Sequence, residues 1–421
     1  MFFLYQIIIL LILIFSPIIL ILRLINNKED KKRYVEKFCY NLKKRNEGNL
    51  VWIHAASVGE FKSVVPLINK LEKNNNIKTI LVTTSTLSSS KIFNTFKFKK
   101  TIHQFFPVDF FYFSSKFINY WKPKVAIFID SEIWPSMFKQ IKKDSIPLLL
   151  MNARITKKSY QRWRFFNKFT KNIFDNIKIA YPSNLETYKF LKKLNVKKIK
   201  KIGNLKFSES KEQKIKKFTA SFLKLLKKRI IWCAVSTHPG EEKIVAKTHL
   251  ILKKQFNNLL TIIIPRHVNR INEINNEIKA LGLKTVIRTS QKNINNKTDI
   301  YLVDTYGETK EFFNISKVAF MGKSLFNYND KGGQNPIEPA RFQLNFTHGP
   351  YVNNFKDIYK LFNEKKIAYR VTNLSQLKTV TQKLLTIKKK KLTNLKKIGD
   401  TILKKSIIEV ISIFNDEIKK T

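Results

Sequence analysis

Short apolar runs alternate along the chain with longer segments whose apolar residues recur at helical spacing. This alternation predicts parallel strands joined by helices, because parallel strands need a crossover connection, which is usually a helix. Two such series occur, so the pattern predicts two doubly wound α/β domains. The predicted strands are Leu50 to Ile53, Ile77 to Thr83, Lys124 to Asp130, Ile146 to Met151 and Ile177 to Tyr181, then Ile230 to Val235, Leu259 to Ile264, Ile300 to Val303, Val318 to Met321 and Leu344 to Phe346.

A lysine-rich stretch with few turn residues, Ser208 to Lys228, separates the two series. We interpret it as the connection between domains and place their boundary near Lys206. The predicted domains cover residues 34–206 and 207–421, although the last helix could cross back to the first domain. A chain of 421 residues, 43% of them hydrophobic, is long enough to give each domain its own core.

The N-terminal segment from Met1 to Leu22 contains no charged side chain. About 20 apolar residues are enough to cross the hydrocarbon core of a bilayer, so the pattern predicts a membrane anchor over residues 1–22. A basic cluster begins at Arg23, with no small-residue cleavage site before it, which favours an anchor that is retained. By the positive-inside rule, this cluster places the rest of the chain in the cytoplasm. Pro17 leaves a monotopic, interfacial helix as the alternative to a spanning one.

The net charge of the chain is +50, with 80 Lys and Arg against 30 Asp and Glu. Clustered basic residues favour nucleic acid or anionic membrane surfaces. Here the excess is mostly Lys and is spread through helices and loops alike, so we attribute it to composition bias and predict no nucleic-acid partner. Cys39 and Cys233 lie far apart and the six His residues are dispersed. This pattern suits a reducing compartment and predicts no tightly bound metal.

The segment VWIHAASVGEF, residues 51–61, places a carboxylate shortly after a predicted strand. Ser57 and Gly59 have turn chemistry and Phe61 begins a helical pattern, so Glu60 opens a helix. Ligands of open α/β sheets gather at the carboxyl ends of strands, where a carboxylate can accept a proton. The alternative is structural, because an acidic residue in the first turn also complements the helix dipole.

Polar residues follow two further predicted strands of the first domain. Asp130 and Glu132 precede Trp134, and Arg154 follows the next strand. Arg154 could bind a phosphate or carboxylate through two hydrogen bonds, or it could pair with Glu132 as a structural bridge. Lys206 lies at the domain boundary, where it could face an interdomain cleft or be an ordinary surface lysine.

Three segments of the second domain are candidates for binding a phosphorylated ligand. The turn from Ser236 to Glu242 has hydroxyl caps and leads into a helix whose backbone N–H groups could receive an anion. Arg266 follows a very apolar strand, where it could contact a nucleotide phosphate or base. The segment GGQNPIEP, residues 332–339, is a glycine-rich loop whose Glu338 could accept hydrogen bonds from ribose hydroxyls.

Seven motifs occur in order along nearly the whole chain: HAASVGEF (54–61), SEIWP (131–135), NARIT (152–156), GNLKF (203–207), STHPGEE (236–242), PRH (265–267) and GGQNPIEPA (332–340). Together they resemble the 3-deoxy-D-manno-octulosonic acid (Kdo) transferases of Gram-negative lipopolysaccharide synthesis. The resemblance implies a B-type glycosyltransferase (GT-B) fold, with an N-terminal acceptor domain, a C-terminal CMP-Kdo domain and a cleft between them.

The resemblance also implies the reaction and its location. Kdo would pass from CMP-Kdo to the lipid A precursor, lipid IVA, with inversion at the anomeric carbon and without a metal or other cofactor. The expected location is the inner membrane, with the catalytic domains in the cytoplasm.

Roles of individual residues follow from the same resemblance. Glu60 matches the family's general base, and Glu132 and Lys206 match positions that stabilise the transition state. The positions that match CMP-binding segments are Pro265, Arg266, Tyr306, Gly307, Glu308, Asn335, Pro336, Ile337 and Glu338. Two departures bear on local contacts, because Gln334 stands where the family usually has His, and Leu87 to Ser90 lack the usual Thr-Gly.

Two other hypotheses belong to different classes. One is another membrane-associated GT-B glycosyltransferase with a different nucleotide-sugar donor, which competition between CMP and UDP would expose. The other is a non-catalytic, basic, membrane-tethered binding protein, whose polyanion binding would depend steeply on salt.

Overall fold

The chain folds into two compact units, one formed by Met1–Ser210 with Lys396–Thr421 and the other by Lys211–Leu395. We describe them from a computed structural model, which covers residues 1–208, 218–290, 294–328, 332–387 and 394–420. The second unit therefore interrupts the sequence of the first.

The first unit is built on a parallel sheet with the strand order β3-β2-β1-β4-β5-β6. Its elements are α1 (Phe2–Ile25), β1 (Leu50–His54), α2 (Val58–Leu71), β2 (Thr79–Thr84), α3 (Leu87–Phe93), β3 (Thr101–Phe105), α4 (Phe111–Trp121), β4 (Val125–Ile129), α5 (Pro135–Lys143), β5 (Leu148–Ala153), α6 (Lys157–Phe165), α7 (Asn167–Phe174), β6 (Ile179–Pro182) and α8 (Leu185–Lys193). Because β1 pairs with both β2 and β4, the chain changes direction across the sheet beside β1.

Both faces of the first sheet are covered, which explains why a central strand such as β4 is apolar throughout. Val51 and Ile53 of β1 lie in one core with Phe61 of α2, whereas Leu50 and Trp52 lie in another with side chains of α4 and α5. Side chains alternate across a strand, so a sheet covered on both faces needs apolar residues at every position.

The second unit contains a parallel sheet with the order β13-β12-β11-β7-β8-β10-β9. The elements that follow α8 are α9 (Ala220–Leu226), β7 (Ile230–Thr237), α10 (Glu241–Lys253), β8 (Leu259–Pro265), α11 (Ile271–Lys279), β9 (Thr285–Ile287), β10 (Ile300–Leu302), α12 (Thr309–Ile315), β11 (Val318–Met321), α13 (Ile337–Arg341), β12 (Asn345–His348), α14 (Lys356–Glu364), β13 (Ala368–Arg370), α15 (Leu374–Thr386) and α16 (Asn394–Lys419). Here the strand order reverses between β7 and β11. The prediction of two doubly wound α/β domains is confirmed.

The last helix, α16, packs in the core of the first unit, where Ile402 lies with side chains of β1 and α2. Two glycines permit this close packing. A Cβ atom on Gly203 would lie 2.8 Å from Ile402, and one on Gly399 would lie 2.3 Å from the carbonyl oxygen of Phe207. The helix therefore contacts the chain on both sides of Lys206.

Gly399→Ala is expected to lower the free energy of unfolding by about 1–3 kcal/mol, the usual cost of overpacking. Glycine-to-alanine changes inside a helix ordinarily stabilise by roughly 0.5–1 kcal/mol. At Gly399 the new methyl group would meet the Phe207 carbonyl oxygen at 2.3 Å, so the clash outweighs the helix preference. Denaturant unfolding measures the change. Lys404→Ala, an exposed position of the same helix, is the matched control, and equal stabilities of the two variants would contradict the close approach.

Short or polar strands escaped the sequence analysis. β3 was missed because polar residues interrupt its sequence, and two of them form hydrogen bonds inside the fold: His103 Nε2 contacts Thr84 Oγ1 at 2.9 Å, and Gln104 Oε1 accepts from the Lys43 N–H at 3.0 Å. β9 and β13, also missed, are three residues long. The predicted connection Ser208 to Lys228 contains α9, and residues 209–217 of it lie outside the described residues.

The N-terminal segment forms α1, a helix of 24 residues. Within the described ranges it is the one helix long and apolar enough to cross a membrane, with a mean hydropathy of 3.0 over its most apolar window. Length and composition thus agree with an anchor.

Candidate active site

The carboxyl edge of the first sheet positions the residues predicted to carry catalysis. β1 and β4 are neighbours at the point where the strand order reverses, which is where open α/β sheets bind ligands. Glu60 follows β1, Glu132 follows β4, and the turn that carries Lys206 is tied to the end of β5. These three residues, distant in sequence, thus belong to three adjacent strand ends.

Glu60 is the third residue of α2 and takes part in a reciprocal capping arrangement. Its backbone N–H donates to Ser57 Oγ at 3.4 Å, and its carboxylate accepts from the Ser57 N–H at 3.3 Å. The structural role that the sequence left open is therefore real. A capping box needs only one carboxylate oxygen, so the capping role leaves the other free for chemistry.

The electrostatic surroundings of Glu60 are unusual for a capping residue. Burial, followed by the nearby carboxylates of Glu132 and Asp130, raises the pKa of Glu60 to about 7. Desolvation and like charges both disfavour the ionised form. A carboxyl group with a pKa near neutrality is poised to exchange a proton at physiological pH.

Glu132 is fixed by two donors. Its Oε2 accepts from Trp134 Nε1 at 2.9 Å and lies 3.3 Å from His54 Nε2. A carboxylate oxygen accepts hydrogen bonds, so the imidazole proton in this contact lies on Nε2 of His54. The side chain of Glu132 is thereby held by a buried histidine at the end of β1.

A buried chain of polar groups supports His54 from behind. His54 Nδ1 lies 2.9 Å from Thr83 Oγ1, which accepts from Trp52 Nε1 at 2.9 Å. With the proton on Nε2, the threonine hydroxyl donates to Nδ1, and every group in the chain is satisfied. The imidazole also packs 4.0 Å from the ring of Phe106, centroid to centroid. Ring position and tautomer are therefore both constrained.

Lys206 is placed by the backbone around it. The carboxamide of Asn152, at the end of β5, accepts from the Leu205 N–H at 3.0 Å, and Lys206 Nζ lies 3.9 Å from Asp130 Oδ2. Asp130 and Asn152 both have positive φ, 63° and 52°, which turns the chain sharply at each strand end. A cation and carboxylates thus share one edge of the sheet.

The contacts of Arg154 differ from the structural alternative, in which it would form an ion pair with Glu132. Its backbone N–H donates to the Asp130 carbonyl at 3.1 Å, and its own carbonyl accepts from Ser131 Oγ at 2.7 Å. No ion pair between Arg154 and Glu132 occurs within the described residues. Its part-exposed guanidinium can still serve as an anion contact.

Glu241, the first acidic residue of the STHPGEE motif, has a structural role in the second unit. Glu241 is fully buried and accepts four backbone N–H bonds, from His238, Lys323, Ser324 and Leu325, at 2.8–3.0 Å. Burial raises the pKa of Glu241, and these four donors oppose the shift. The carboxylate therefore ties the turn after β7 to the segment after β11.

Basic side chains gather at the strand ends around that tie. Arg266 is exposed directly after β8, and its backbone N–H donates to the Thr237 carbonyl at 3.1 Å. His238 donates from Nδ1 to the Ser236 carbonyl at 3.1 Å. Burial lowers the pKa of His238, and the charges of Lys323, His267 and Arg266 lower it further. This edge of the second sheet thus favours an anion.

The glycines of the GGQNPIEP loop serve packing. A Cβ atom on Gly332 would lie 2.1 Å from the Tyr351 carbonyl oxygen, and one on Gly333 would lie 2.9 Å from Val352. The close backbone approach that the sequence assigned to a ligand is therefore made by the chain itself. Beyond them, Asn335 accepts from the Ile337 N–H at 3.2 Å, and Gln334 offers its backbone carbonyl to the Tyr359 hydroxyl at 2.9 Å.

The remaining residues that were predicted to bind CMP differ in their exposure to solvent. Tyr306 is 73% exposed, and Gly307 has a φ of 90°. The carboxylate of Glu308 is paired with Arg288 at 3.0 Å, so it is partly neutralised. Pro265, Pro336 and Ile337 are buried, and Glu338 is partly buried at the start of α13.

The residues predicted to bind the sugar donor, CMP-Kdo, follow strands that are close neighbours in the second sheet. The segments after β11, β8 and β10 carry them, and these strands lie with β7 in the order β11-β7-β8-β10.

The sequence analysis missed the parts played by His54, His238 and Lys323. The first two stand inside the quoted motifs at strand ends, a position that could have marked them. No group of three or more potential metal ligands occurs among the described residues, and independence from metals stays a prediction.

Comparisons with known proteins agree with the fold and the motifs. The family described as 3-Deoxy-D-manno-octulosonic-acid transferase (kdotransferase) matches residues 32–209. The chain is 33% identical over 373 residues to the 3-deoxy-D-manno-octulosonic acid transferase of Rickettsia bellii, covering 87% of each chain. It is 30% identical over 322 residues to the enzyme of that name from Haemophilus influenzae, covering 75% of this chain and 74% of that one.

A solved structure shares the fold at low identity. It is a putative UDP-N-acetylglucosamine 2-epimerase from Listeria monocytogenes, which is 12% identical with a TM-score of 0.60, over 88% of this chain and 98% of that one. Two parallel sheets with alternating helices and such neighbours define the GT-B fold class. The relatives identify the member: this chain belongs to the Kdo transferase family, the glycosyltransferases that add Kdo in lipopolysaccharide synthesis.

Proposed function

We propose that this Kdo transferase moves Kdo from CMP-Kdo to the lipid A precursor lipid IVA, with inversion and without a metal or other cofactor. The observation that carries the proposal is the partly buried carboxyl group of Glu60, whose pKa lies near 7 at the reversal point of the first sheet. We place the enzyme at the cytoplasmic side of the inner membrane, held by α1.

The acceptor chemistry is assigned to the first unit. A glucosamine hydroxyl oxygen of the acceptor forms the new bond to the anomeric carbon of Kdo, and its proton passes to Glu60. The bond from that carbon to the CMP phosphate oxygen breaks, and the electron pair leaves with CMP. The carboxylate of Glu132 stabilises the positive charge that develops at the anomeric carbon, and Lys206 balances negative charge during departure.

The donor is assigned to the second unit. Arg266 and the basic surroundings of His238 support binding of the CMP phosphate, because a guanidinium makes strong charge-assisted bonds to phosphate. The exposed ring of Tyr306 can stack on the base, and Asn335 and Glu338 can accept hydrogen bonds from ribose. Pro265, Gly307, Glu308, Pro336 and Ile337 shape the same segments.

The proposal is tested with the full chain in detergent, supplied with CMP-Kdo and lipid IVA, and with mass spectrometry of the products. Product heavier by one or more Kdo units, with turnover unchanged by a chelator, is expected. UDP-N-acetylglucosamine in place of CMP-Kdo is the matched donor control. Transfer from the UDP sugar, or no transfer from CMP-Kdo, would overturn the donor assignment, and chelator sensitivity would overturn metal independence.

His54→Phe is expected to lower kcat by about tenfold to a hundredfold, the value of a hydrogen bond to a charged group. Phenylalanine keeps the packing against Phe106 but cannot donate to Glu132. The KM for CMP-Kdo should change little, because the donor residues lie in the other unit. Steady-state kinetics separate the two constants.

His54→Gln supplies the control for that variant, because its amide can still donate to Glu132 and should recover part of the rate. A His54→Phe enzyme that folds stably and turns over at the normal rate would contradict the positioning role. The same conclusion would follow if glutamine and phenylalanine were equally impaired.

A further inference from the structure

The first turn of α1 is tied to the first unit by buried polar contacts. The Tyr5 hydroxyl donates to Asp109 Oδ2 at 2.6 Å, and the Gln6 amide donates to Ser136 Oγ at 2.8 Å. The Gln6 side-chain oxygen accepts from the Phe111 N–H at 3.0 Å. Gln6 is 9% exposed and Asp109 is 2% exposed. These are specific interior bonds, where an unmade bond would leave buried polar groups unpaired.

The other end of α1 is tied to the same unit. Arg23 pairs with Glu29 at 2.7 Å, and Glu29 pairs with Lys37 at 2.7 Å. The carbonyl of Lys37 accepts from the Val108 N–H at 2.8 Å. Val108 is the neighbour of Asp109, so the contacts from the two ends of the helix return to adjacent residues of the first unit.

Between its ends, α1 presents apolar side chains to its surroundings. None of its most apolar window is buried. The more exposed residues include Phe3 at 78%, Ile14 at 63%, Phe15 at 59% and Ile18 at 60%. Basic residues follow the helix at Lys28, Lys31 and Lys32. An apolar surface of this kind beside basic side chains matches a bilayer with anionic headgroups.

We propose that α1 lies along the cytoplasmic face of the bilayer as a monotopic helix, docked on the first unit through Tyr5 and Gln6, and does not cross it. Tyr5 and Arg23 are separated by about 27 Å of helix, nearly the roughly 30 Å of a hydrocarbon core. A spanning helix would therefore carry Tyr5 to the opposite side of the membrane from Asp109. The contacts at both ends are compatible only with a helix that stays on one side.

The docked turn also contacts the helix that directly follows the loop carrying Glu132. Asp109, which accepts from Tyr5, also accepts from the backbone N–H groups of Ser136 and Met137 at 3.0 and 2.8 Å. It thereby caps the first turn of α5, which begins directly after Trp134. The lipid-facing helix and the first turn of α5 thus share the buried carboxylate of Asp109. Because α5 fixes the end of the loop that holds Glu132, docking supports the geometry of the site.

Protease accessibility of an N-terminal epitope tag on the full chain tests the side of the membrane. In inside-out membrane vesicles the tag should be cleaved by an added protease, and in right-side-out vesicles it should be protected. A tag placed after Thr421 is the control and should behave in the same way. Cleavage of the N-terminal tag in right-side-out vesicles would overturn the proposal and establish a spanning helix.

Cross-linking tests the docking itself. Lys139 Nζ lies 4.1 Å from the centre of the ring of Phe2, and neither position is buried, so Phe2→Cys combined with Lys139→Cys should be joined by a short bismaleimide in native membranes, whereas either single variant should not. The natural cysteines, Cys39 and Cys233, are both buried and should not react. An N-terminal tag on the cytoplasmic side without this cross-link would overturn docking of the first turn of α1. The inference rests on the membrane location proposed above, and recovery of the chain from the soluble fraction would overturn both, whereas loss of Kdo transfer alone would affect neither readout.

Discussion

Glu60→Gln is expected to lower kcat by about 10²–10⁴-fold, the usual contribution of a positioned general base. Glutamine keeps the shape of the side chain and can still accept the capping hydrogen bond from Ser57, but it cannot take a proton. Binding of CMP-Kdo should be nearly unchanged, because the predicted donor residues lie in the second unit. Pre-steady-state turnover and equilibrium CMP-Kdo binding, measured on the same variant, separate chemistry from binding.

The pH dependence of the wild-type enzyme gives a second readout of Glu60. The base must be ionised to act, so kcat/KM should rise with pH through an apparent pKa of about 7. Glu60→Gln should lack this limb. A wild-type profile that is flat between about pH 5 and 8 would contradict the assignment.

As the pH rises, the contribution of Glu60 to the stability of the folded chain should fall, whereas kcat/KM should rise. The folded chain raises the pKa of Glu60 from its ordinary 4.5 to about 7, so the folded state holds this proton more tightly than the unfolded state. The stability from this group is greatest below pH 4.5 and is lost as the pH rises to about 7. Glu60→Gln does not lose stability in this way. The difference in melting temperature, variant minus wild type, should therefore increase as the pH rises from about 5 to about 8.

Glu186→Gln is the matched control, because Glu186 is an exposed acidic residue in the first turn of α8 in the same unit. It should leave turnover unchanged. If Glu60→Gln resembled this control in turnover, Glu60 would be a capping residue and no more.

Arg266→Ala is expected to weaken CMP-Kdo binding by about 2–4 kcal/mol, roughly 30-fold to 900-fold, if a charge-assisted phosphate contact is lost. The residue is exposed at the end of β8 in the ligand-free chain, so its removal should leave the melting temperature of the free enzyme unchanged. Calorimetric titration with CMP measures the affinity directly.

Arg370→Ala controls for the loss of one positive charge. Arg370 is also exposed and also ends a strand of the second sheet, but β13 lies at the sheet edge, with three strands between it and β8. A general electrostatic contribution from the basic chain would weaken CMP binding equally in both variants. Equal losses would therefore remove Arg266 from the donor site.

The sequence predicted those features that depend on local pattern. Strands such as β4 and β8 are almost entirely apolar, and their lengths separate them from helices, so both were found with no end displaced by more than one residue. Glu60 was placed in a first helical turn from Ser57 and the spacing that follows. These inferences need only neighbouring residues.

Other features depend on residues that meet only in the fold. Nothing near Glu241 in the sequence indicates that its carboxylate would bind N–H groups at Lys323, Ser324 and Leu325. The contact between His54 and Glu132 likewise depends on β1 pairing with β4. The glycines of residues 332–333 suggested an approach to a ligand, because pattern alone does not say which backbone fills the space.

The return of α16 to the first unit constrains how the chain can fold during synthesis. When residues 1–210 have left the ribosome, one face of the first sheet still lacks the helix that contributes Ile402, Val410 and Phe414 to its core. The second unit, whose sequence is continuous, can complete its own sheet before that helix has been made. The amino-terminal half therefore keeps an uncovered apolar face until the last 26 residues of the chain (Lys396–Thr421) have been synthesised. A nascent chain that stalls before them would present that face to chaperones and proteases, and fragments that end at Ser210 would aggregate where the full chain does not.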